Sequence, residues 1–154
     1  MKNISRHLPT VARVFLGLIF FVFGLNGFLH FIPNPTEVLP DRASAFLGGL
    51  MGTGYLFPLL KGVEVIAGFM LLSNRFVPLA LALLAPIIVN IVAFHTLLVP
   101  SGVAIALVVL VLEVFLAWSY REVYRPMLAA RVRLGDTTPA SSKKSRSVGD
   151  HATA

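Results

Sequence analysis

Residues 76–98 read FVPLALALLAPIIVNIVAFHTLL. No Asp, Glu, Lys or Arg interrupts this run. A helix of that length covers the roughly 30 Å of hydrocarbon in a bilayer. Its Val and Ile residues favour strands in water. In lipid, however, every backbone N–H and C=O must be bonded within the segment, so the run predicts a membrane-spanning helix. Residues 11–32, 55–72 and 103–120 have the same character. Ser73-Asn74-Arg75 and Val99-Pro100-Ser101-Gly102 are the only links between the last three runs. Links that short make antiparallel neighbours. The expected fold is an all-α membrane protein, an antiparallel up-and-down bundle of four transmembrane helices spanning residues 11–126.

Composition agrees. Of 154 residues, 56% are apolar and 13% charged, with a mean hydropathy of +0.83. A soluble domain of this size cannot hide so much apolar surface. The same figures exclude disorder of the whole chain and, at this length, a second domain. Cysteine is absent, which excludes disulfides, thiolate metal sites, iron–sulfur clusters and Cys nucleophiles.

The first connection, residues 33–54, is the long one. Pro33-Asn34-Pro35 cannot continue a helix. Beyond Pro40-Asp41, the residues Ala43, Phe46, Leu47, Leu50 and Met51 recur at helical spacing. They predict a short amphipathic helix on the outer membrane face, ended by Gly52 and Gly54. Lys2, Arg6, Arg13, Arg75, Arg121, Arg125, Arg131, Arg133, Lys143, Lys144 and Arg146 fall on one side of a four-crossing chain, and Arg42 alone on the other. The net charge of +6 therefore reads as membrane orientation rather than nucleic-acid binding: both termini cytoplasmic, in a cell inner membrane. Residues 1–10 form a cytoplasmic flank. The first run is too long for a cleaved signal peptide and is read as an anchor. Beyond about Leu134 the composition turns to Thr, Ser, Pro, Lys and Ala, and residues 127–154 are expected to form a basic, disordered cytoplasmic tail. Trp118, Tyr120 and Tyr124 form an aromatic belt at that side.

Polar residues inside the runs are costly and become functional candidates. Counting rise along each helix puts Asn26, His30, Lys61, Glu64 and Asn90 between mid-membrane and the outer face, where they are expected to line one ligand cavity. His95 and Glu113 are additional candidates. Lys61 and Glu64, three apart, share a helical face and can pair. No metal site is expected: the histidines lack ligand spacing, so haem is not expected either. Gly17 and Gly24 lie on one face for close helix contact, and Pro86 is expected to kink its helix before Asn90.

Several segments together resemble the DoxX-like family of small four-helix membrane proteins. These are Arg13-Val14-Phe15-Leu16-Gly17-Leu18-Ile19-Phe20 leading to Gly24 and His30, then Thr53-Gly54-Tyr55-Leu56-Phe57-Pro58, then Lys61-Gly62-Val63-Glu64 with Gly68, and finally Asn90 and the Arg-rich exit of the fourth run. The resemblance implies an auxiliary subunit of a quinone-linked membrane redox system, with other redox subunits as partners. It implies a quinone-like ligand and makes Glu64, with Gly62 and Gly68, a hot spot of the second helix. No catalytic residue is carried over, and without cysteine a dithiol role is excluded. Two other functions fit the same composition: a structural or assembly partner, and a small transporter subunit with Lys61, Glu64 and Glu113 along a path. The apolar inner half speaks against the path.

The orientation has a direct check. Reporter fusions at Ala43 and at the C-terminus should report opposite sides of the membrane, the C-terminus cytoplasmic. A C-terminus on the outside would overturn the charge argument.

Overall fold

A computed structural model describes residues 4–33 and 38–124. Every regular element among them is helical: α1 (Ile4–Leu29), α2 (Asp41–Gly52), α3 (Leu56–Leu72), α4 (Val77–Leu97), α5 (Val103–Ser119) and α6 (Arg121–Tyr124), with a 3-10 turn at Pro100–Gly102. The tail expected from 127 to 154 lies outside the described residues, as do residues 1–3 of the N-terminal flank.

Three helical stretches are long and apolar enough to cross a membrane: His7–Leu29, Val77–Leu97 and Pro100–Ser119. A fourth crossing is counted only when α2 and α3 are taken together, and these meet at 88°. α3 has 17 residues, a length of about 25 Å at 1.5 Å per residue, short of a full hydrocarbon core. Among the described residues there are accordingly three helices long enough for a crossing plus a bent pair. Large apolar residues stand outward on all the long helices, among them Phe15, Phe23, Ile66, Phe69, Val89, Val111 and Val114. In water such a surface would drive association.

The corner between α2 and α3 is built by local chemistry. Asp41 in the first turn of α2 complements the positive helix N-terminus. At the far end, the Thr53 hydroxyl donates to the Leu50 carbonyl (2.9 Å) and accepts from the Leu56 amide (3.1 Å), joining one helix to the next. Gly54 follows at φ 74°, a left-handed conformation natural to glycine. At the other chain reversals, His30, Asn74 and Phe76 take positive φ as non-glycine residues.

α1 and α3 pack most closely. A Cβ added to Gly17 would meet Leu71, one on Gly24 would meet Val65, and one on Gly27 would meet Lys61. Position rises along α1 as it falls along α3, so the two run antiparallel. Gly68 answers from α3, where an added Cβ would lie 2.5 Å from the Phe21 backbone nitrogen. α1 also packs on α5, and α4 packs on both α3 and α5. The fully buried side chains Leu16, Leu71, Leu81, Leu84, Ile88 and Leu116 fill the space between them.

Gly68 and Gly62 should therefore respond oppositely to alanine. Gly68→Ala forces a backbone apart and should cost about 1–3 kcal/mol. Gly62 has open space around it and should gain up to about 1 kcal/mol from the better helix former. Thermal unfolding in detergent reads both. Equal effects would mean that the helix contact does not depend on bare glycine.

Candidate functional site

A cavity of about 300 Å³ lies where α2 crosses the ends of the long helices. Ile19, Phe20 and Phe23 of α1, Phe57 and Leu60 of α3, Ile87 and Ile91 of α4 and Val109 of α5 make most of its wall. Phe46, Leu47 and Leu50 of α2 close over it. Four of the polar candidates line it: Lys61, Glu64, Asn90 and His95.

Lys61 and Glu64 are joined, with Nζ donating to Oε2 at 2.8 Å. The Glu64 side chain is 4% exposed and that of Lys61 19%. The stem of Lys61 lies against Gly27 of α1, and its ammonium stands 5.7 Å from the Phe57 ring centre. The cation is thus held from three sides. The pairing expected from their shared helical face is the arrangement found. His95 sits beside Gly102, whose missing side chain makes room for the ring. Its Nδ1–H donates to the Val99 carbonyl (3.2 Å), since a carbonyl can only accept, which in the neutral ring leaves Nε2 as an acceptor. The ring meets Phe94 edge-on, and Phe94 in turn touches Phe46 of α2, the centroids 5.6 Å apart. Asn90 has no hydrogen-bond partner among the described residues and contributes both an amide donor and an acceptor.

Asn26 and His30, expected beside Lys61, are not among the lining residues. Asn26 serves its own chain: the Ile32 amide donates to its Oδ1 at 2.6 Å, which ties the segment after α1 back onto the last turn of that helix. His30 is exposed and left-handed at φ 52°, the residue that terminates α1. The reversal at His30 carries that residue out of the helix, while Asn26 stays in α1 with its side chain turned to Ile32. Glu113 is buried and also absent from the cavity wall, and its Oε2 has no hydrogen-bond partner. α4 runs unbroken through Pro86 to Leu97.

Arg13 had been read as a charge of the N-terminal flank. It lies well inside α1, 7% exposed. Its guanidinium donates to the carbonyls of Leu71 and Leu72 in the last turn of α3, adding to the turn amides of Ser73, Asn74 and Arg75 that bond Phe69, Leu71 and Met70. The signal was present in the sequence: Arg13 is four residues before Gly17, on the same face as the glycines. At this same end the Tyr124 hydroxyl donates to the Pro78 carbonyl (2.7 Å). Burial first, and then the nearby Glu113 carboxylate, pushes that phenol up to about 12, so it stays a donor throughout the physiological range.

Among the described residues no three His, Cys, Asp or Glu stand together as a metal site. The cavity can exclude water, stack a flat apolar ring against phenylalanines, and present a cation and an amide to a polar atom. It contains no nucleophile with an adjacent base.

The ion pair makes a testable claim. Lys61→Met leaves Glu64 buried without its partner and should cost about 3–5 kcal/mol. Lys61→Met with Glu64→Gln should recover much of that in a detergent melting experiment. A double variant no more stable than the single would show that pairing is not what makes the two residues tolerable.

No family model matches this chain, and no match was found among curated proteins or solved structures.

Proposed function

We propose that the chain is a DoxX-like multi-pass protein of the cell inner membrane, an antiparallel bundle with both termini cytoplasmic. In this reading it serves as an auxiliary subunit of a quinone-linked redox system, and it binds a small amphipathic ligand at the α2 end of the bundle. The observation that carries this reading is the cavity itself. Its wall is overwhelmingly apolar and aromatic, and polar side chains from α3 and α4 converge in it. Ligand sites have that composition: apolar surface for affinity, few polar groups for orientation.

The residues fit a quinone. Lys61 has ammonium hydrogens beyond the one given to Glu64, and Asn90 has a free amide. Both suit a carbonyl acceptor. Phe20, Phe23 and Phe57 suit the ring and the start of its tail. A quinone would supply the redox chemistry, and the protein would supply binding, orientation and a dry environment. His95 has its Nδ1–H committed to Val99, so its Nε2 is limited to accepting. That group suits the hydroxyl of a reduced quinol better than the carbonyl of the oxidised form.

The test is binding of a decyl-substituted benzoquinone to the purified chain, together with mass spectrometry of lipids extracted from it. Native quinone should co-extract. Asn90→Leu should weaken decylbenzoquinone binding up to about tenfold, the upper range for one hydrogen bond, and Leu60→Trp should abolish it by filling the cavity. Absence of quinone from the extract, together with no saturable binding, would overturn the reading.

A further inference from the structure

A second hollow lies on the outside of the α1–α3 contact, at the opposite end from the quinone cavity. It measures about 600 Å³. Phe21 of α1, Ile66 and Phe69 of α3 and Phe76 beyond the turn make its apolar wall, and Ser73 and Arg75 stand at its polar end. Phe69, Ile66 and Phe76 are all more than half exposed. The hollow is therefore an open groove running from the α3–α4 turn along the side of the bundle.

We propose that this groove binds an anionic phospholipid, with the headgroup phosphate on Arg75 and one acyl chain lying along Phe69 and Ile66. The argument is one of charge and shape together. The Arg75 guanidinium has no acceptor among the described residues, and it is the only charged side chain in the α3–α4 turn. The carbonyl end of α3 would ordinarily repel an anion there, but Arg13 donates to Leu71 and Leu72 and offsets that field. The first turn of α4 follows directly, without a side-chain cap, and adds the positive end of a helix. Ser73 gives its proton to the Met70 carbonyl (3.2 Å) and so stays an acceptor. A polar end with Arg75 and one apolar trough leading away match a phosphate joined to an acyl chain. A free phosphate would leave the trough unused, and a zwitterionic lipid would set its own cation against Arg75. Basic pockets between transmembrane helices on the cytoplasmic side recognise anionic headgroups by this chemistry. The inference relies on the membrane placement of the chain and not on the quinone cavity.

The test uses the full chain in detergent, delipidated and then offered equal amounts of dioleoyl phosphatidylglycerol and dioleoyl phosphatidylcholine. Native mass spectrometry reads the ratio retained. Phosphatidylglycerol should be preferred about fivefold, the factor that ~1 kcal/mol per basic residue at an anionic surface gives. Arg75→Gln should bring the ratio close to one, and Arg75→Lys should keep most of the preference. Phe69→Ala should lower retention of both lipids. Excess glycerol 1-phosphate should not displace the lipid, and excess decylbenzoquinone should leave the ratio unchanged. A wild-type ratio near one overturns the proposal, even if Arg75→Gln fails to fold. Displacement by glycerol 1-phosphate or by the quinone also overturns it, because the groove would then not be the site. A chain that binds no quinone but keeps the lipid preference would sink the cavity reading alone.

Discussion

The close approach of α1 to α3 is the contact on which the rest of the structure depends. Lipid tails are as apolar as leucine, so helices in a membrane gain little from burying apolar surface against each other. They must gain instead from tight packing and from polar groups that find partners. Gly17, Gly24 and Gly27 on one helix and Gly68 on the other let the backbones come near. Two polar arrangements become possible only at that distance. At one end Arg13 reaches across to the last carbonyls of α3. At the other, the stem of Lys61 lies in the notch at Gly27 and its head meets Glu64. The same seam therefore gives a buried arginine its acceptors at the C-terminus of α3 and a buried charge pair its place.

Nearly every polar group inside the bundle is satisfied by a local solution. Asn26 takes the amide of Ile32, His95 gives a proton to Val99, and Thr96 and Ser119 return theirs to carbonyls of their own helices. These groups explain their own presence in a hydrophobic segment without any ligand. Asn90 and Glu113 do not. Asn90 borders the cavity, while Glu113 points into the filled half near Tyr124. A polar residue that lipid should have rejected and that the fold leaves without a partner is the strongest internal argument for a function.

The helices were legible because apolar run length is a strong signal. Residues 76–98 anticipated α4 closely, and Asp41 together with the glycines at 52 and 54 bounded α2. The site was legible only in part. Lys61, Glu64 and Asn90 share a cavity because they sit in the middle of long helices, where rise and rotation accumulate predictably. His30 lies past the end of α1, where its left-handed backbone redirects the chain and the count along the helix no longer applies, and Asn26 in the last turn is taken by the Ile32 amide that this reversal brings back. Arg13 was legible as a charge but not by its partner. Its acceptor is a carbonyl 58 positions away in the chain that folding brings beside it. No one-dimensional pattern states that partner, although the shared face with Gly17 pointed toward α3.

The shortness of α3 connects these observations. A crossing helix needs roughly 20 residues, and α3 has 17. The deficit falls at its first turns, because the Thr53–Gly54 corner starts the helix at Leu56. α1 ends at Leu29, two residues beyond the Gly27 that faces Lys61 and short of the first turn of α3, and the cavity lies at that end, between the four long helices. Lipid or water would enter that space unless something covered it. α2, turned through 88°, lays Phe46, Leu47 and Leu50 across the opening. The roof over the cavity thus follows from one corner in the backbone. Extending α3 upward through Gly52–Gly54 would straighten the corner and uncover the cavity. The glycines and threonine at 52–54 are in this sense part of the site, though none of them lines it.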